Sequence, residues 1–264
     1  FATGVLVILV GKATRLAQFL DKDVKEYEAV VRFGFETDTG DRTGNRKEEE
    51  KGGRGEGEKV SIGKVERILS EFRGEIEQTP PMYSAKKVAG KKLYELARKG
   101  LEIERKPLKV TIYEIEVQKS KVEDQSFDVP IRVLCSAGTY IRVLAEDIGG
   151  KIGIGAHLAE LRRTRAGKFD LSQAATLEEL EKIVSENNLD EILISMNEAV
   201  SHLPEVVLSE AEIIKTQSGL KLKFEGDKIE DNQPMRLIDQ KENLIAVGFY
   251  NKEQKFIQPR IVVL

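Results

Sequence analysis

The feature that most restricts the possible folds is an alternation of apolar and polar residues between positions 25 and 35. An extended chain places every second side chain on the same face, whereas a helix would scatter them around its circumference. The pattern therefore predicts a β-strand with one buried and one solvated face. The apolar face consists of Tyr27, Ala29, Val31, Phe33 and Phe35.

Helical and strand patterns both occur elsewhere in the first 200 residues. Apolar residues at helical spacing predict helices over residues 12–20, 61–72, 91–99 and 140–148, and residues 158–163 are expected to pass from helix into strand. Further strands are predicted over residues 5–10, 109–119 and 127–135. Local patterns thus indicate a mixture of helices and strands.

Three other segments have distinct compositions. Residues 37–59 are polar and glycine-rich, and such a composition buries little area, which predicts a mobile surface loop. Thr176, with Glu179 three positions later, has the pattern of a capping box at the start of an acidic helical segment. After Pro204 the chain changes to short β-like runs separated by turns, which predicts a small separate β module.

Composition excludes several classes of protein. Apolar residues make up 40% and charged residues 33% of the 264 residues, which allows a buried core and excludes a wholly disordered chain. The longest aliphatic run, Val5–Val10, is far shorter than the roughly 20 residues that span a bilayer, and it lacks the flanks of a signal peptide. A single cysteine, Cys135, and two histidines offer neither an internal disulfide nor a metal cluster. We expect a cytoplasmic protein without a metal.

Positive charge is concentrated locally, although the net charge is −3. Between Met82 and Lys109 there are nine Lys or Arg residues and three acids, and residues 132–168 contain seven and three. The first stretch also contains Tyr83 and Tyr94 and follows a rigid proline pair, a composition suited to phosphate contacts and base stacking. A charge run alone is more often a solvated face. RNA binding and a plain solvated surface therefore both remain open at this point.

Five short motifs are more specific. In chain order they are Ala2-Thr3-Gly4-Val5-Leu6, Lys25-Glu26-Tyr27, Gln78-Thr79-Pro80-Pro81-Met82-Tyr83-Ser84-Ala85-Lys86-Lys87, Ser136-Ala137-Gly138-Thr139-Tyr140-Ile141-Arg142 and Gly155-Ala156-His157-Leu158-Ala159-Glu160-Leu161-Arg162-Arg163. In order and spacing they resemble the bacterial tRNA pseudouridine-55 synthases, the TruB family. The resemblance covers residue 1 to about residue 175 and continues more weakly through the C-terminal β module.

The resemblance implies an α+β fold: a mixed, largely antiparallel sheet with flanking helices, followed by a PUA-like β module. The expected domains are a catalytic domain over residues 1–200, with an RNA-gripping thumb at about 79–106, and a PUA-like RNA-binding domain over residues 201–264. The implied reaction is isomerisation of uridine 55 in the T-loop of tRNA to pseudouridine after base flipping, without metal or organic cofactor. The expected partner is the tRNA T-stem-loop, with no DNA or membrane, and the protein is expected to be a monomer.

Site residues carry over by motif. Tyr27 matches the tyrosine that stacks on the flipped uracil and assists proton removal, and Tyr140 matches a second substrate contact. Arg142 matches the arginine that pairs with the nucleophilic aspartate, and Leu161 supplies an apolar wall. The thumb residues expected to bind RNA are Tyr83, Lys86, Lys87, Lys91, Lys92 and Arg98. Extruding a base costs a few kcal/mol, and one aromatic stack returns about 1–3 kcal/mol.

The family's catalytic aspartate belongs to a Gly-Thr-Leu-Asp-Pro-type motif directly ahead of the stretch that matches Phe-Ala-Thr-Gly. We therefore expect the nucleophile to precede Phe1, the 264-residue chain to be inactive on its own, and Arg142 to lack its carboxylate. Asp38 and Asp41 fall in the polar stretch and match no catalytic motif.

The residues alone also leave other interpretations open. Without the resemblance, Tyr27 is interpreted as a core residue, Arg142 as a surface ion-pair partner and Cys135 as a buried structural thiol. A non-catalytic tRNA-binding or tRNA-folding module would use the same basic segment. Hydrolysis by paired carboxylates would need a distinctive pair of acids, and the sequence offers none.

Overall fold

The computed structural model divides the chain into two compact units. It describes residues 1–20, 24–47, 59–84, 86–88, 90–97, 99–101, 103–121, 125–226 and 228–263. The first unit contains residues 1–7 and 22–174, and the second contains residues 8–21 and 175–264. The division at 174/175 precedes the boundary expected near residue 200. One reason is that Arg236 donates hydrogen bonds to Asn197 and Leu203, which ties residues on both sides of position 200 to the small sheet.

The strands in chain order are β1 Thr3–Gly4, β2 Lys25–Phe33, β3 Val60–Ser61, β4 Gly74–Gln78, β5 Lys87–Val88, β6 Lys91–Lys92, β7 Leu108–Val117, β8 Gln125–Ser126, β9 Asp128–Cys135, β10 Ala156–Ala166, β11 Phe169–Asp170, β12 Glu205–Val207, β13 Leu222–Lys223, β14 Pro234–Ile238, β15 Leu244–Asn251 and β16 Phe256–Val262. The α-helices are α1 Ala17–Leu20, α2 Ile62–Ser70, α3 Leu93–Ala97, α4 Ile141–Ile152, α5 Leu177–Ser185, α6 Met196–Ala199 and α7 Glu210–Gln217, and short 3-10 helices cover Gly11–Leu16, Lys119–Lys121, Leu171–Gln173 and Leu189–Glu191.

The first unit is built on a seven-stranded sheet with the order β1-β10-β2-β9-β7-β4, with β11 paired to β10. The pairing is antiparallel except between β1 and β10, which run parallel. The alternating segment at residues 25–35 forms β2 at the centre of this sheet, between β10 and β9. The predicted α+β class and the mixed, largely antiparallel sheet are confirmed.

Helices α2 and α4 cover the apolar face of this sheet. Val65 and Leu69 of α2 and Leu144 and Ile148 of α4 are at most 1% exposed, and they share one core with the inward-facing residues of the strands. Helix α4 approaches the start of β10 closely at Gly149, because a Cβ there would lie 2.3 Å from the Ala156 backbone nitrogen. The absence of a side chain at this position sets how closely the helix packs on the sheet.

One strand prediction and one helix prediction are wrong. Val5 is buried and donates its N–H to the Arg163 carbonyl at 2.8 Å, but Leu6, Ile8 and Val10 are about 70% exposed and residues 5–10 form no strand in the described chain. Residues 158–163 contain no helix, because they lie within β10, where β1 and β2 satisfy the backbone hydrogen bonds on both sides.

The polar stretch is ordered where the structure describes it, so the prediction of a mobile loop is wrong for residues 37–46. Thr37 and Arg46 form an antiparallel bridge, and Asp41 bridges Leu158 of β10 in parallel. Thr37 and Asp41 are only 2% and 4% exposed. Their burial is tolerated because their polar groups have hydrogen-bond partners inside the turn. Residues 48–58 of the same stretch lie outside the described residues.

The second unit contains a five-stranded sheet with the order β12-β14-β15-β16-β13. Its core includes Leu208, Met235, Leu237 and Ile257, each at most 1% exposed. The capping box at the start of α5 is confirmed, since the Thr176 and Glu179 side chains bond reciprocally to each other's backbone N–H groups. Across the described ranges, no helix has the length and hydropathy needed to cross a bilayer.

Two adjacent glycines in α4 provide a matched test of the packing against β10. We expect Gly149→Ala to destabilise the fold by about 1–3 kcal/mol, because its methyl group would overlap the Ala156 backbone. Gly150 faces open space, so Gly150→Ala should stabilise the helix by up to about 1 kcal/mol. Urea unfolding of both variants checks the pair, and equal midpoints would contradict this packing.

Candidate active site

The start of α4 is held in place by the last residue of β4. The backbone N–H of Tyr140 donates to Gln78 Oε1 at 2.9 Å, and the Tyr140 carbonyl accepts from Gln78 Nε2 at 3.2 Å. Gln78 is 1% exposed, so both hydrogen bonds are shielded from water. The preceding turn closes through Thr139 Oγ1, which donates to the Ser136 carbonyl at 2.9 Å. The Ser-Ala-Gly-Thr-Tyr motif is thus a rigid entry into the helix.

Arg142, the second residue of α4, joins three segments of the chain. Its Nη1 donates to Asp41 Oδ2 at 3.0 Å and to the Thr39 carbonyl at 3.3 Å. Its Nη2 donates to the Tyr83 carbonyl at 2.8 Å. The Arg142 side chain is 24% exposed and the Asp41 side chain 6%, so the ion pair is partly desolvated. One guanidinium thereby fixes the 37–46 turn and the start of the basic segment against α4.

Asp41 is built to remain ionised. Burial by itself would raise the pKa of Asp41, but hydrogen bonds from Thr43 and Thr39, together with the charge of Arg142, lower that pKa below its ordinary value. Thr43 contributes both its N–H, at 3.0 Å, and its hydroxyl. Arg142 is therefore not left unpaired, as was expected: Asp41, which matched no catalytic motif, pairs with it, and the pairing with the nucleophilic aspartate stays a prediction.

Tyr27 and Leu161 lie on the same face of neighbouring strands. Leu161 of β10 pairs with Ala29 of β2, and Arg163 pairs with Tyr27 two residues further along. A register shift between Leu158 and Glu160 interrupts the regular alternation of β10. Both Tyr27 and Leu161 are partly buried and pack against the core of the first unit. Burial raises the pKa of the Tyr27 hydroxyl, and the Arg163 guanidinium opposes that rise.

Leu161 also lines a cavity of about 470 Å³ in the first unit. Phe1, Thr3, Ala29 and Arg42 contribute to the same cavity, and the Arg42 guanidinium lies 5.5 Å from the centre of the Phe1 ring. An apolar wall, an aromatic ring and a cation therefore meet beside β10.

The predicted site residues form two groups. Arg142 contacts the backbone of Tyr83 directly and lies two residues after Tyr140, whereas Tyr27 and Leu161 share the β2–β10 face. Within the described part of the chain, no hydrogen bond or ion pair joins Tyr27 to Arg142. The 37–46 turn links the groups, since Asp41 pairs with Arg142 and also bridges β10 at Leu158.

The thumb candidates are only partly described. Tyr83 is 39% exposed, Lys91 is exposed, and Lys86 accepts a hydrogen bond from the Leu93 N–H through its carbonyl. The backbones of Lys87 and Lys92 pair in the β5–β6 hairpin, while Arg98 lies outside the described residues. The predicted helix over residues 91–99 is shorter than expected, because the hairpin occupies its first two positions and α3 ends at Ala97.

The second basic stretch, residues 132–168, is largely neutralised by carboxylates from elsewhere in the unit. Arg132 pairs with Glu26, Glu114 and Glu116, and Lys151 pairs with Glu71. The count of basic residues in this stretch therefore overstates the positive charge available to a ligand. Cys135 is buried with its pKa raised to about 11 by desolvation, as expected of a structural thiol.

Sequence reasoning missed Asp41, Gln78 and Arg163. A signal for Asp41 was present, because Thr39-Gly40-Asp41-Arg42-Thr43 places a hydroxyl two residues on each side of a carboxylate, a pattern that forms a local hydrogen-bonded turn. Gln78 ends a strand and gave no separate signal. Arg163 alternates with its neighbours in the Leu-Arg-Arg motif, but a register shift is needed to place it opposite Tyr27.

Replacing Asp41 tests the ion pair. We expect Asp41→Asn to lower the free energy of unfolding by about 1–3 kcal/mol, because the Arg142 guanidinium loses its charged acceptor. The contribution of Asp41 is fully present above the ordinary aspartate pKa and is lost as the pH falls through its lowered pKa in the folded state. Urea unfolding between pH 7 and pH 2 measures both effects.

The matched control is Asp38→Asn, in the same turn but exposed and bonded to Asn45. It should leave the free energy of unfolding within about 0.5 kcal/mol of the parent. Equal losses for the two variants at neutral pH would contradict a special role for the Arg142–Asp41 pair.

Comparison with known families agrees with this geometry. Residues 1–141 match the N-terminal domain of the TruB family pseudouridylate synthases, and residues 142–201 match the tRNA pseudouridylate synthase B C-terminal domain. Among curated proteins, the chain is 38% identical over 247 residues to the tRNA pseudouridine synthase B of Geobacillus thermodenitrificans, covering 93% of this chain and 80% of that protein.

Solved structures show the same fold. A Cbf5-Nop10-Gar1 complex matches with a TM-score of 0.71 and 26% identity, covering all of this chain and 73% of that one. An H/ACA RNP bound to a substrate RNA containing 2′-deoxyuridine matches with a TM-score of 0.68 and 26% identity, covering 97% and 70% of the two chains. On the evidence of these matches and of the motifs gathered around α4 and β10, the chain belongs to the TruB family of pseudouridylate synthases.

Proposed function

We propose that this chain is a tRNA pseudouridine synthase that isomerises uridine 55 in the T-loop of tRNA. The observation that carries the proposal is the guanidinium of Arg142. It ties a partly buried carboxylate, the first turn of α4 and the start of the basic segment into one site in a chain of this family.

The first requirement of the reaction is a place to hold the flipped base. A flipped uridine must be held after it leaves the base stack, at a cost of a few kcal/mol. Tyr27 stacks on the base and Leu161 forms an apolar wall beside it, from adjacent positions on β2 and β10. Tyr140, fixed by Gln78, contacts the substrate from the start of α4.

The chemistry conserves atoms and electrons. An aspartate bonds to the nucleoside as the N1–C1′ bond breaks, the uracil rotates, and the aspartate is released when the C5–C1′ bond forms; C5 loses a proton and N1 gains one. In the structure, Nη1 of Arg142 donates hydrogen bonds to Asp41 and to the Thr39 carbonyl, and Nη2 donates one to the Tyr83 carbonyl. Because guanidinium has five N–H donors, Arg142 can orient a second carboxylate, the nucleophile, while it remains anchored by Asp41.

The basic segment grips the RNA. We assign phosphate and stacking contacts with the T-stem-loop to Tyr83, Lys86, Lys87, Lys91, Lys92 and Arg98, and RNA contacts to the PUA-like second unit. The buried, unreactive Cys135 suits a reducing compartment, and we place the enzyme in the cytoplasm as a monomer that uses no metal or organic cofactor.

Replacing Arg142 should affect catalysis much more than RNA binding. We expect Arg142→Gln to reduce the rate of pseudouridine formation by at least about 100-fold, because the nucleophile loses its orienting charge, while the Kd for a T-stem-loop changes less than about threefold. Tritium release from tRNA carrying [5-³H]uridine measures the rate, in the protein that carries the expected aspartate motif ahead of Phe1. The control is Arg32→Gln on the exposed side of the sheet, which should retain the parent rate. A non-catalytic tRNA-folding module would release no tritium in any form.

Salt dependence tests the thumb. The binding constant for a T-stem-loop RNA is measured over a range of salt concentrations. For each phosphate contact that Lys91 makes, Lys91→Gln should make the slope of log K against log salt concentration less steep by about 0.7–0.9. Lys109→Gln removes the same charge from β7, where Lys109 is paired with Glu75, and should leave the slope unchanged. Identical slopes for the two variants would argue against RNA binding by the thumb.

A further inference from the structure

We propose that Arg163 is a positioning residue of this site, anchoring the first strand while holding the Tyr27 side chain toward the substrate. The inference rests on the proposed function and adds one residue to its active site. None of the roles assigned above uses Arg163.

Strand register places Arg163 beside Tyr27. The two residues are direct cross-strand partners in the antiparallel β2–β10 pair, so their side chains leave the sheet on the same face. Arg162, the preceding residue, belongs to the opposite face and is exposed. The second arginine of the Leu-Arg-Arg motif is therefore the one directed toward the tyrosine.

A second contact fixes the guanidinium itself. Arg163 Nε donates to the Val5 carbonyl at 2.7 Å, while the Val5 N–H donates to the Arg163 carbonyl at 2.8 Å. Gly4 makes this approach possible, because its φ is +98° and a Cβ there would lie 2.1 Å from the Arg163 carbonyl oxygen. The Ala-Thr-Gly-Val motif and the Leu-Arg-Arg motif thus meet at Arg163.

The charge of Arg163 acts on the Tyr27 hydroxyl. Burial raises the pKa of Tyr27, with a smaller contribution from Cys135, and the charge and hydrogen bond of Arg163 oppose that rise. Without a nearby cation the buried phenol would ionise less readily, because its anion would be unsolvated, and less phenolate would be present to accept a proton. The hydrogen bond to the Val5 carbonyl restricts the positions open to this guanidinium.

This arrangement suits the proton step of the reaction. When C5 bonds to C1′, its proton must leave. The Tyr27 phenolate, whose own proton has gone to solvent, accepts the C5 proton and becomes a phenol, and N1 takes a proton from solvent. The Arg163 guanidinium stabilises that phenolate, which burial by itself disfavours. No oxidant, reductant or cofactor is consumed.

Titration of Tyr27 tests the inference independently of activity. The chain is labelled with 3-fluorotyrosine, the Tyr27 resonance is assigned by its loss in Tyr27→Phe, and ¹⁹F NMR follows its titration. We expect Arg163→Gln to shift the Tyr27 midpoint upward, and Arg32→Gln, on the exposed face of β2, to leave it unchanged. An unchanged midpoint in Arg163→Gln would overturn the proposal.

Kinetics give a second readout. In the protein that carries the expected aspartate motif, Arg163→Gln should lower kcat by about 10- to 100-fold with a smaller change in KM, and should shift the ascending limb of the pH–rate profile to higher pH. Arg163→Lys keeps the charge but loses the Nε donor to Val5, so it should restore the Tyr27 midpoint and recover kcat only in part.

If Arg163→Gln does not fold, Arg163→Lys decides the question, and a parental kcat in that variant would refute a positioning role. If the protein that carries the expected aspartate motif ahead of Phe1 forms no pseudouridine, the proposed function fails, and the fluorine titration still decides whether Arg163 controls the pKa of Tyr27.

Discussion

The ion pair between Arg142 and Asp41 is the constraint on which the arrangement of the site depends. It joins residues 101 positions apart and, through the Tyr83 carbonyl, brings in a third segment. Partial burial of an ion pair has a desolvation cost, and hydrogen bonds offset it here. Asp41 receives hydrogen bonds from Thr39 and Thr43 as well as from the guanidinium. A lone arginine at this position would be costly to desolvate.

The remainder of the site depends on the sheet. Strands β2 and β10 set Tyr27, Leu161 and Arg163 side by side through backbone register, which no loop could do with the same precision. Helix α4 can approach β10 closely because Gly149 has no side chain, and this close packing sets the distance between the helix and the strand. The 37–46 turn then couples helix and strand, because Asp41 belongs to both contacts.

Local patterns in the sequence were sufficient for much of the fold. The alternation from residue 25, the helical spacing of α2 and α4 and the capping box at Thr176 each follow from short-range rules, and each is present. The family motifs likewise named Tyr27, Tyr140, Arg142 and Leu161. What failed depends on tertiary partners. Residues 5–10 look like a buried strand, yet their burial requires neighbours that composition does not specify.

The site's partners were harder to predict for the same reason. Asp41 lay in a stretch whose overall polarity indicated a mobile loop, and its burial arises from a pairing with β10 more than 100 residues away. The second basic stretch was read as available charge, but the acids that neutralise Arg132 come from two other strands. Local composition records the charges of a segment and omits those that fold against it.

The most direct measurement of the central claim is a double-mutant cycle on Asp41→Asn and Arg142→Gln, read out as the free energy of unfolding of the 264-residue chain. If the pair organises the site, the two substitutions should be strongly non-additive, with an interaction energy of about 1–3 kcal/mol. Additive effects, within about 0.5 kcal/mol, would show that the two residues act independently and would contradict this account.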